Sequence, residues 1–213
     1  MSYSESIHLG LSHVIQQAFR SQDSAAYTRQ VAKGEAIYYC GDRPTAIYHL
    51  ESGRVRLTRH TADGKLITFR TVASGELFGE TDLYLPVHEC EATAEVDSRI
   101  MAYSSAQVMF WVSRDAGLAV ALMQQAHLLL QQLKRRLLLL TIQSIRERTL
   151  AYLREQAVTD SNGNQQVALN KPLKAVAEEL NISAEAFYRV LARLEADGVI
   201  ARSKQRITLL QDG

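Results

Sequence analysis

A long helix with a repeating apolar seam is the feature that most constrains this chain. Apolar residues recur at alternating spacings of three and four between Arg114 and Ser144, with no proline and one early glycine. The seam consists of Met123, Ala126, Leu130, Leu133, Leu137 and Leu140. Such a narrow stripe is buried best against a copy of itself, although a core helix within one chain has the same pattern. Because β-like sequence precedes the helix and a compact helical unit follows it, we interpret it as a spine and as the contact of a homodimer.

The composition is that of an ordinary globular protein of one or two domains. Of 213 residues, 46% are hydrophobic and 22% are charged, and the formal net charge of +1 indicates no particular partner. Two cysteines, Cys40 and Cys90, are too few for a disulfide framework. The amino-terminal stretch lacks the basic flank and long apolar run of a signal peptide, and no segment approaches a membrane span. We therefore expect a cytoplasmic protein without a membrane partner.

Short β-strands are predicted between Tyr27 and Ser104, after an amphipathic helix over residues 7–20. Runs rich in Ile, Val, Tyr, Leu and Thr are separated by glycine-containing breaks, a spacing typical of an antiparallel sandwich or roll. Val55 and Leu57 alternate with two arginines, which predicts a strand with one buried face. The Asp63-Gly64 pair predicts a hairpin turn.

The carboxyl-terminal part has the pattern of a winged helix-turn-helix. The segments LKAVAEEL (173–180) and AEAFYRVLARLEADG (184–198) predict two helices joined by a tight turn. Ser183 stands at the N-cap of the second helix and Gly198 at its C-terminal end. Residues 199–210 predict a two-stranded wing. The predicted domains are thus a β-roll over 1–112, a dimerisation helix over 113–144 and a DNA-binding domain over 145–213.

The second short helix offers side chains that suit the reading of DNA. Arginine pairs bidentately with guanine and a carboxylate accepts from cytosine, while basic residues around the helix suit phosphates. A solvated charged face is the alternative. The candidate DNA-binding residues are Ser183, Glu185, Tyr188, Arg189, Arg193, Lys204 and Arg206, with Lys171, Lys174 and Arg202 as further phosphate contacts.

Two motifs resemble those of the cyclic AMP receptor protein/FNR superfamily of transcription regulators, over essentially the whole chain. GELFGETDLY (75–84) resembles the start of the family's ligand cassette, and ISAEAFYRVL (182–191) resembles its recognition helix. The resemblance implies an α+β fold with an N-terminal antiparallel β-roll, a long dimerisation helix and a C-terminal winged helix-turn-helix. It also implies a homodimer that binds double-stranded DNA at palindromic sites, with Glu185 and Arg189 reading bases. The polar loop 159–166 aligns with a loop that contacts RNA polymerase in activating relatives.

The ligand cassette departs from the family pattern. The resemblance assigns Glu80 to a ribose hydroxyl, but Cys90 and Glu91 stand where an Arg-Ser pair holds the cyclic phosphate. No lysine or arginine occurs between Arg70 and Arg99, whereas several acidic residues do. We therefore expect an altered pocket that does not bind cyclic AMP, closed by a salt bridge from Lys134 or Arg135 to Glu80 or Glu91. The candidate pocket residues are Gly79, Glu80, Cys90, Glu91, Leu133 and Lys134.

Other chemistries have weaker sequence support. His88 and Cys90 include haem or metal ligand types, but two residues do not make a site, so no metal and no cofactor is expected. The four-cysteine iron–sulfur arrangement of oxygen-sensing relatives is excluded. An enzyme would need a convergent catalytic cluster, which the sequence lacks. The alternatives within the regulator class are a sensor of haem, nitric oxide or another small molecule, and a thiol switch between Cys40 and Cys90.

Overall fold

The computed structural model describes residues 15, 17–19, 26–160, 163–169, 172–204 and 206–210. The chain divides into two compact units, one over Ile7–Leu128 and one that contains Leu129–Gly213. The boundary between the units lies inside the long helix, between Leu128 and Leu129. The sequence pattern instead predicts this helix, over 113–144, as a separate segment between two domains.

The amino-terminal unit contains two four-stranded sheets in which every strand pairing is antiparallel, as predicted. The strand orders are β1-β8-β3-β6 and β2-β7-β4-β5. The strands are β1 (Tyr27–Val31), β2 (Ala36–Tyr38), β3 (Ala46–Ser52), β4 (Arg54–His60), β5 (Leu66–Ala73), β6 (Leu77–Phe78), β7 (Glu91–Ala94) and β8 (Ser98–Ser104).

The predicted alternation of buried and exposed side chains in β4 is confirmed. The buried side chains of this strand belong to the core between the two sheets. Val55 and Leu57 are buried in that core, whereas Arg54 and Arg56, which alternate with them, are half-exposed. The hairpin to β5 turns at Gly64, whose φ of 79° is in the region that favours glycine. The alternation thus places one face of this sheet inward and leaves the other to solvent.

Helices cover the other face of the first sheet. Ile47, Leu77 and Tyr103 pack there with residues of two helices, α1 (Ser105–Val112) and α2 (Ala116–Thr141). Of the helix predicted over residues 7–20, only 15 and 17–19 are described, and these are helical; the rest lies outside the described residues. No helix in the described part of the chain has the length and apolarity needed to cross a bilayer.

The carboxyl-terminal unit combines helices with a third antiparallel sheet of order β11-β12-β10-β9. Its elements after α2 are α3 (Ile145–Gln156), β9 (Val158–Thr159), β10 (Gln165–Ala168), α4 (Leu173–Glu179), α5 (Ala184–Ala196), β11 (Ile200–Arg202) and β12 (Arg206–Leu209). The prediction of a polar loop over 159–166 was incomplete, because β9 and β10 form a hairpin there. The predicted two-stranded wing is therefore part of a larger sheet.

Candidate nucleic-acid interface and effector pocket

The start of α5 is fixed by the N-cap that the sequence predicts. The Ser183 hydroxyl accepts a hydrogen bond from the Ala186 amide at 3.1 Å, which satisfies one of the helix's free N–H groups. At the other end, the Gly198 amide donates to Glu195 O and the Val199 amide donates to Leu194 O. With Gly198 at φ 72°, these bonds form the Schellman motif that ends a helix. Both boundaries of α5 thus follow from local sequence.

One face of α5 is buried and the opposite face carries the candidate base contacts. Phe187, Leu191 and Leu194 are completely buried in the core of this unit. Phe187 was not predicted as an inward residue, although its spacing of four and seven from the two leucines indicates the same face. The exposed residues, which we call the reading face, are Glu185, Tyr188, Arg189 and Arg193.

Basic residues of the wing have different surroundings. Lys204 is exposed in the turn between β11 and β12. Arg206 is exposed too, and its Nη1 donates to Gln166 Oε1 at 3.2 Å. Arg202 was predicted to contact phosphate, but its Nε donates to the Glu195 carboxylate at 2.7 Å, which holds the pKa of Glu195 below its usual value. The pairing ties Arg202 to α5.

Lys174 and Lys171 complete the predicted set of phosphate contacts. Lys174 is exposed on α4. Lys171 lies outside the described residues.

The seam of α2 is largely exposed within the single chain. Met123, Leu133 and Leu137 have exposed fractions of 67%, 61% and 63%, while a different face of the helix, which includes Leu118 and Ala121, packs in the amino-terminal unit. The described part of the chain therefore leaves most of the seam exposed, unlike the stripe of an ordinary core helix. Leu138 is 68% exposed as well, whereas Leu139 packs on the carboxyl-terminal core.

A buried ion cluster surrounds the cassette glutamate. Arg70 Nη1 lies 3.3 Å from Glu80 Oε1, and Arg70 Nη2 lies 3.3 Å from Glu76 Oε2 and 2.9 Å from Leu77 O. Burial raises the pKa of the Glu80 carboxyl, and the attraction of Arg70 offsets part of that effect. Burial acts to lower the pKa of Arg70, but the two carboxylates outweigh it and the pKa lies above its usual value. Among the described residues, the guanidinium of Arg70 thus faces the two carboxyl groups of Glu76 and Glu80.

The partner that the structure gives Glu80 is Arg70 of β5, not a residue of α2. The expected salt bridge from Lys134 or Arg135 to Glu80 or Glu91 would join the two units and stays a prediction. Arg135 Nε lies 3.4 Å from Glu155, within the carboxyl-terminal unit. Leu133 and Lys134 are exposed on the part of α2 that belongs to that same unit. Sequence reasoning missed Arg70, although it has the same strand parity as the completely buried Val72.

Aromatic rings pack beside this cluster. Gly79 has a φ of 80°, and a Cβ there would lie 3.3 Å from the Tyr48 ring. The Tyr48 ring stacks on Phe78 with centroids 5.0 Å apart. Tyr38 stacks on the buried His88 at 3.7 Å, and His88 Nδ1 lies 2.7 Å from Asp82 Oδ2. His88 is thus held by packing and by a carboxylate.

Cys90 and Glu91, the other cassette candidates, also have local partners. Cys90 packs on the core, and burial raises the pKa of its thiol to about 11. Glu91 Oε1 accepts from Thr93 Oγ1 at 2.6 Å. Cys40 is exposed, and both cysteines are free. Among the described residues, no group of three or more His, Cys, Asp or Glu side chains is arranged to hold a metal ion.

Comparisons with known proteins found similarity over most of the chain. The family model for the cyclic nucleotide-binding domain matches residues 28–115. Transcriptional regulator LdrP of Thermus thermophilus is 28% identical over 191 residues, covering 85% of this chain and 91% of LdrP.

Solved structures of regulators share the fold. FixK2 from Bradyrhizobium japonicum has a TM-score of 0.67 at 21% identity, over 89% of this chain and 94% of FixK2. A CooA mutant from Carboxydothermus hydrogenoformans has a TM-score of 0.70 at 18% identity, over 88% of this chain and 84% of CooA.

Proposed function

Because this chain belongs to the cyclic AMP receptor protein/FNR superfamily of transcription regulators, we propose that it binds DNA sequence-specifically as a homodimer. Its targets are palindromic sites, and its effector pocket is altered so that cyclic AMP does not bind. The observation that carries the proposal is the reading face of α5. Glu185, Tyr188, Arg189 and Arg193 are exposed together on a helix whose opposite face is anchored in a core.

The chemistry of the reading face suits the major groove. A recognition helix presents the side chains of its first turns to base edges, where arginine holds guanine O6 and N7 and a carboxylate accepts from cytosine N4. Glu185 lies in the first turn of α5, and Arg189 follows one turn later. Arg193, Lys204 and Arg206 suit phosphates, which position the protein without reading sequence.

The exposed seam of α2 supports dimerisation. A stripe of leucine and methionine in water gains free energy by pairing with a second copy of the same stripe. Two copies related by a two-fold axis then present two reading faces about one helical turn of DNA apart. The proposed operator is therefore a palindrome.

The ion cluster supports the proposal that the pocket is altered. In relatives that bind cyclic nucleotides, the cassette glutamate contacts a ribose hydroxyl and an arginine holds the phosphate. Here Glu80 is paired with Arg70, and the position of the phosphate-binding arginine is occupied by Cys90. A phosphate would approach a cluster with excess negative charge, and like charges about 4 Å apart repel by roughly 4 kcal/mol at an effective dielectric near 20.

RNA polymerase is the proposed protein partner. Residues 159–166, which include most of the hairpin of β9 and β10, align in sequence with a loop that contacts RNA polymerase in activating relatives. The Asp160 carboxylate accepts a hydrogen bond from the Asn164 amide at 2.9 Å, across this hairpin. A polymerase pull-down with operator DNA tests this contact.

Operator selection tests the proposed function. Purified full-length protein is used to enrich a random double-stranded library, and the enriched sequences are footprinted. The expected result is one palindromic motif, protected over both halves by the wild type. Enrichment of no motif at all, with a folded protein, would contradict sequence-specific DNA binding.

A further inference from the structure

Two arginines outside the helix-turn-helix bind the carboxyl-terminal end of its first helix. Arg136 on α2 donates from Nε to Glu179 O at 3.2 Å. Arg148 on α3 donates from Nη1 to Leu180 O at 2.8 Å. Both carbonyl groups belong to the turn at the end of α4. Two separate helices are thus hydrogen-bonded to the same turn.

Arg148 also connects this turn to the end of α2. Its Nε and Nη2 donate to Ile142 O at 2.8 and 2.6 Å. The guanidinium is planar and presents its donors in a fixed fork, so it holds both carbonyl groups in one geometry. One side chain therefore sets the relative positions of Ile142 and Leu180.

These contacts have a physical reason. The last carbonyl groups of a helix lack intrahelical partners and carry partial negative charge, which a guanidinium satisfies. Both arginines are half-buried, and burial lowers the pKa of Arg136. A desolvated cation is stable only where hydrogen bonds replace those it made to water.

The turn leads directly into α5. From Leu180 the chain passes through Asn181, whose φ of 53° is positive, and Ile182, whose amide donates to Ala177 O at 3.0 Å. Ser183, the N-cap of α5, follows. The short path leaves little freedom between the carbonyl groups that the arginines hold and the first turn of α5.

We propose that Arg148 and Arg136 are positioning residues for DNA recognition. They couple α2 and α3 to the turn that places the amino terminus of α5, and so set the orientation of the reading face. The inference rests on the proposed function, because it concerns how accurately the reading face of α5 is placed against DNA bases. Neither arginine needs to contact DNA for this role.

The role predicts a loss of specificity. Hydrogen bonds to base edges require accurate placement, whereas attraction to phosphates is long-ranged and tolerates displacement. A reading face that is held loosely should lose affinity for its operator and keep its affinity for unrelated DNA. Partial unfolding would instead weaken both affinities by the same factor, so their ratio separates the two effects.

The experiment uses full-length Arg148→Gln, Arg148→Lys and Arg136→Gln. Fluorescence anisotropy gives dissociation constants for the selected operator and for an unrelated duplex of equal length at one salt concentration. The specificity ratio is the dissociation constant for the unrelated duplex divided by that for the operator. We expect this ratio to fall on the order of tenfold for Arg148→Gln. The fall should be smaller for Arg136→Gln, because its hydrogen bond to the turn is longer. Arg148→Lys should recover part of the loss, because it keeps the charge but not the fork. Arg154→Gln, at an exposed position of α3, is the matched control and should leave the ratio unchanged.

The outcomes separate the inference from the proposed function. A wild-type protein that prefers no sequence would contradict the proposed function itself. A specific wild type whose Arg148→Gln and Arg136→Gln variants keep the ratio within about twofold would overturn the positioning role. If Arg148→Gln does not fold, Arg136→Gln and Arg148→Lys decide by the same ratio.

Discussion

The Arg70 guanidinium pairs with the Glu80 carboxylate at 3.3 Å inside the amino-terminal unit, where both side chains are largely buried. A second carboxylate, from Glu76, binds the same guanidinium. The pair therefore gives the cassette glutamate an internal partner. Arg70 also stabilises both carboxylates, so its loss should affect both.

Arg70→Met should destabilise the protein by about 3–5 kcal/mol, because it leaves buried carboxylates without a cation. Burial raises the folded-state pKa of Glu80 above its unfolded value, and loss of Arg70 raises it further. A raised carboxyl pKa favours the folded state at low pH, and that stabilisation is lost as the pH rises through the folded pKa. The variant should thus recover part of its stability on going from neutral to mildly acidic pH.

Urea denaturation of Arg70→Met at both pH values measures this effect. Arg99→Met is the control, since Arg99 is half-exposed in its pair with Glu51 and a surface pair contributes about 1 kcal/mol or less. Adding Glu80→Gln to Arg70→Met should restore part of the lost stability, because one of the two carboxylates is then neutral. A variant as stable as the control at neutral pH would show that the pair is not required.

Cyclic AMP should neither bind measurably at millimolar concentration nor change the affinity for DNA. The physical reason is the occupied Glu80 carboxylate and the absence of a cation at positions 90 and 91. Titration calorimetry of the full-length protein checks this expectation. A dissociation constant in the micromolar range would contradict it, and Cys90→Arg with Glu91→Ser should move the pocket toward phosphate binding.

Features set by local pattern could be predicted from the sequence. The alternation of β4, the Gly64 turn, the Ser183 cap and the end of α5 at Gly198 each depend on a few neighbouring residues. The structure has each of them where the pattern indicates. Local patterns are reliable here because the backbone hydrogen bonds that they predict lie within the same short segment.

Contacts between distant segments could not be predicted. From the sequence alone, we expect the cation of the cassette on the long helix, because no lysine or arginine occurs between residues 71 and 98. Strand β5 instead places Arg70 against Glu80, a relation that requires the path of the chain in space. The hydrogen bonds of Arg148 to Leu180 O and Ile142 O could not be predicted for the same reason. The local sequence does not indicate which carbonyl groups a guanidinium will contact.

Leu133→Glu or Leu137→Glu should convert the proposed homodimer to monomers and abolish binding to a palindrome. A charge placed in a paired seam must be desolvated without a partner, at a cost of several kcal/mol per ion. Light scattering at micromolar concentration measures the oligomeric state. Val158→Glu, at an exposed apolar position of β9, should leave that state unchanged. Seam variants that remain dimeric would remove α2 as the dimer contact.

The reading face and the wing should respond differently to truncation of a basic side chain. Arg189→Ala should cost roughly 1–3 kcal/mol per half-site and relax the preference at one base pair, because a bidentate contact to guanine is lost. Lys204→Ala should weaken binding to all sequences alike and lower the salt slope by about one, because a phosphate contact releases counterions without reading bases. Repeating the operator selection with each variant, and measuring affinity over a range of salt, separates the two effects. A merely solvated face would produce neither, so an unchanged operator for Arg189→Ala would show that α5 does not read DNA through this residue.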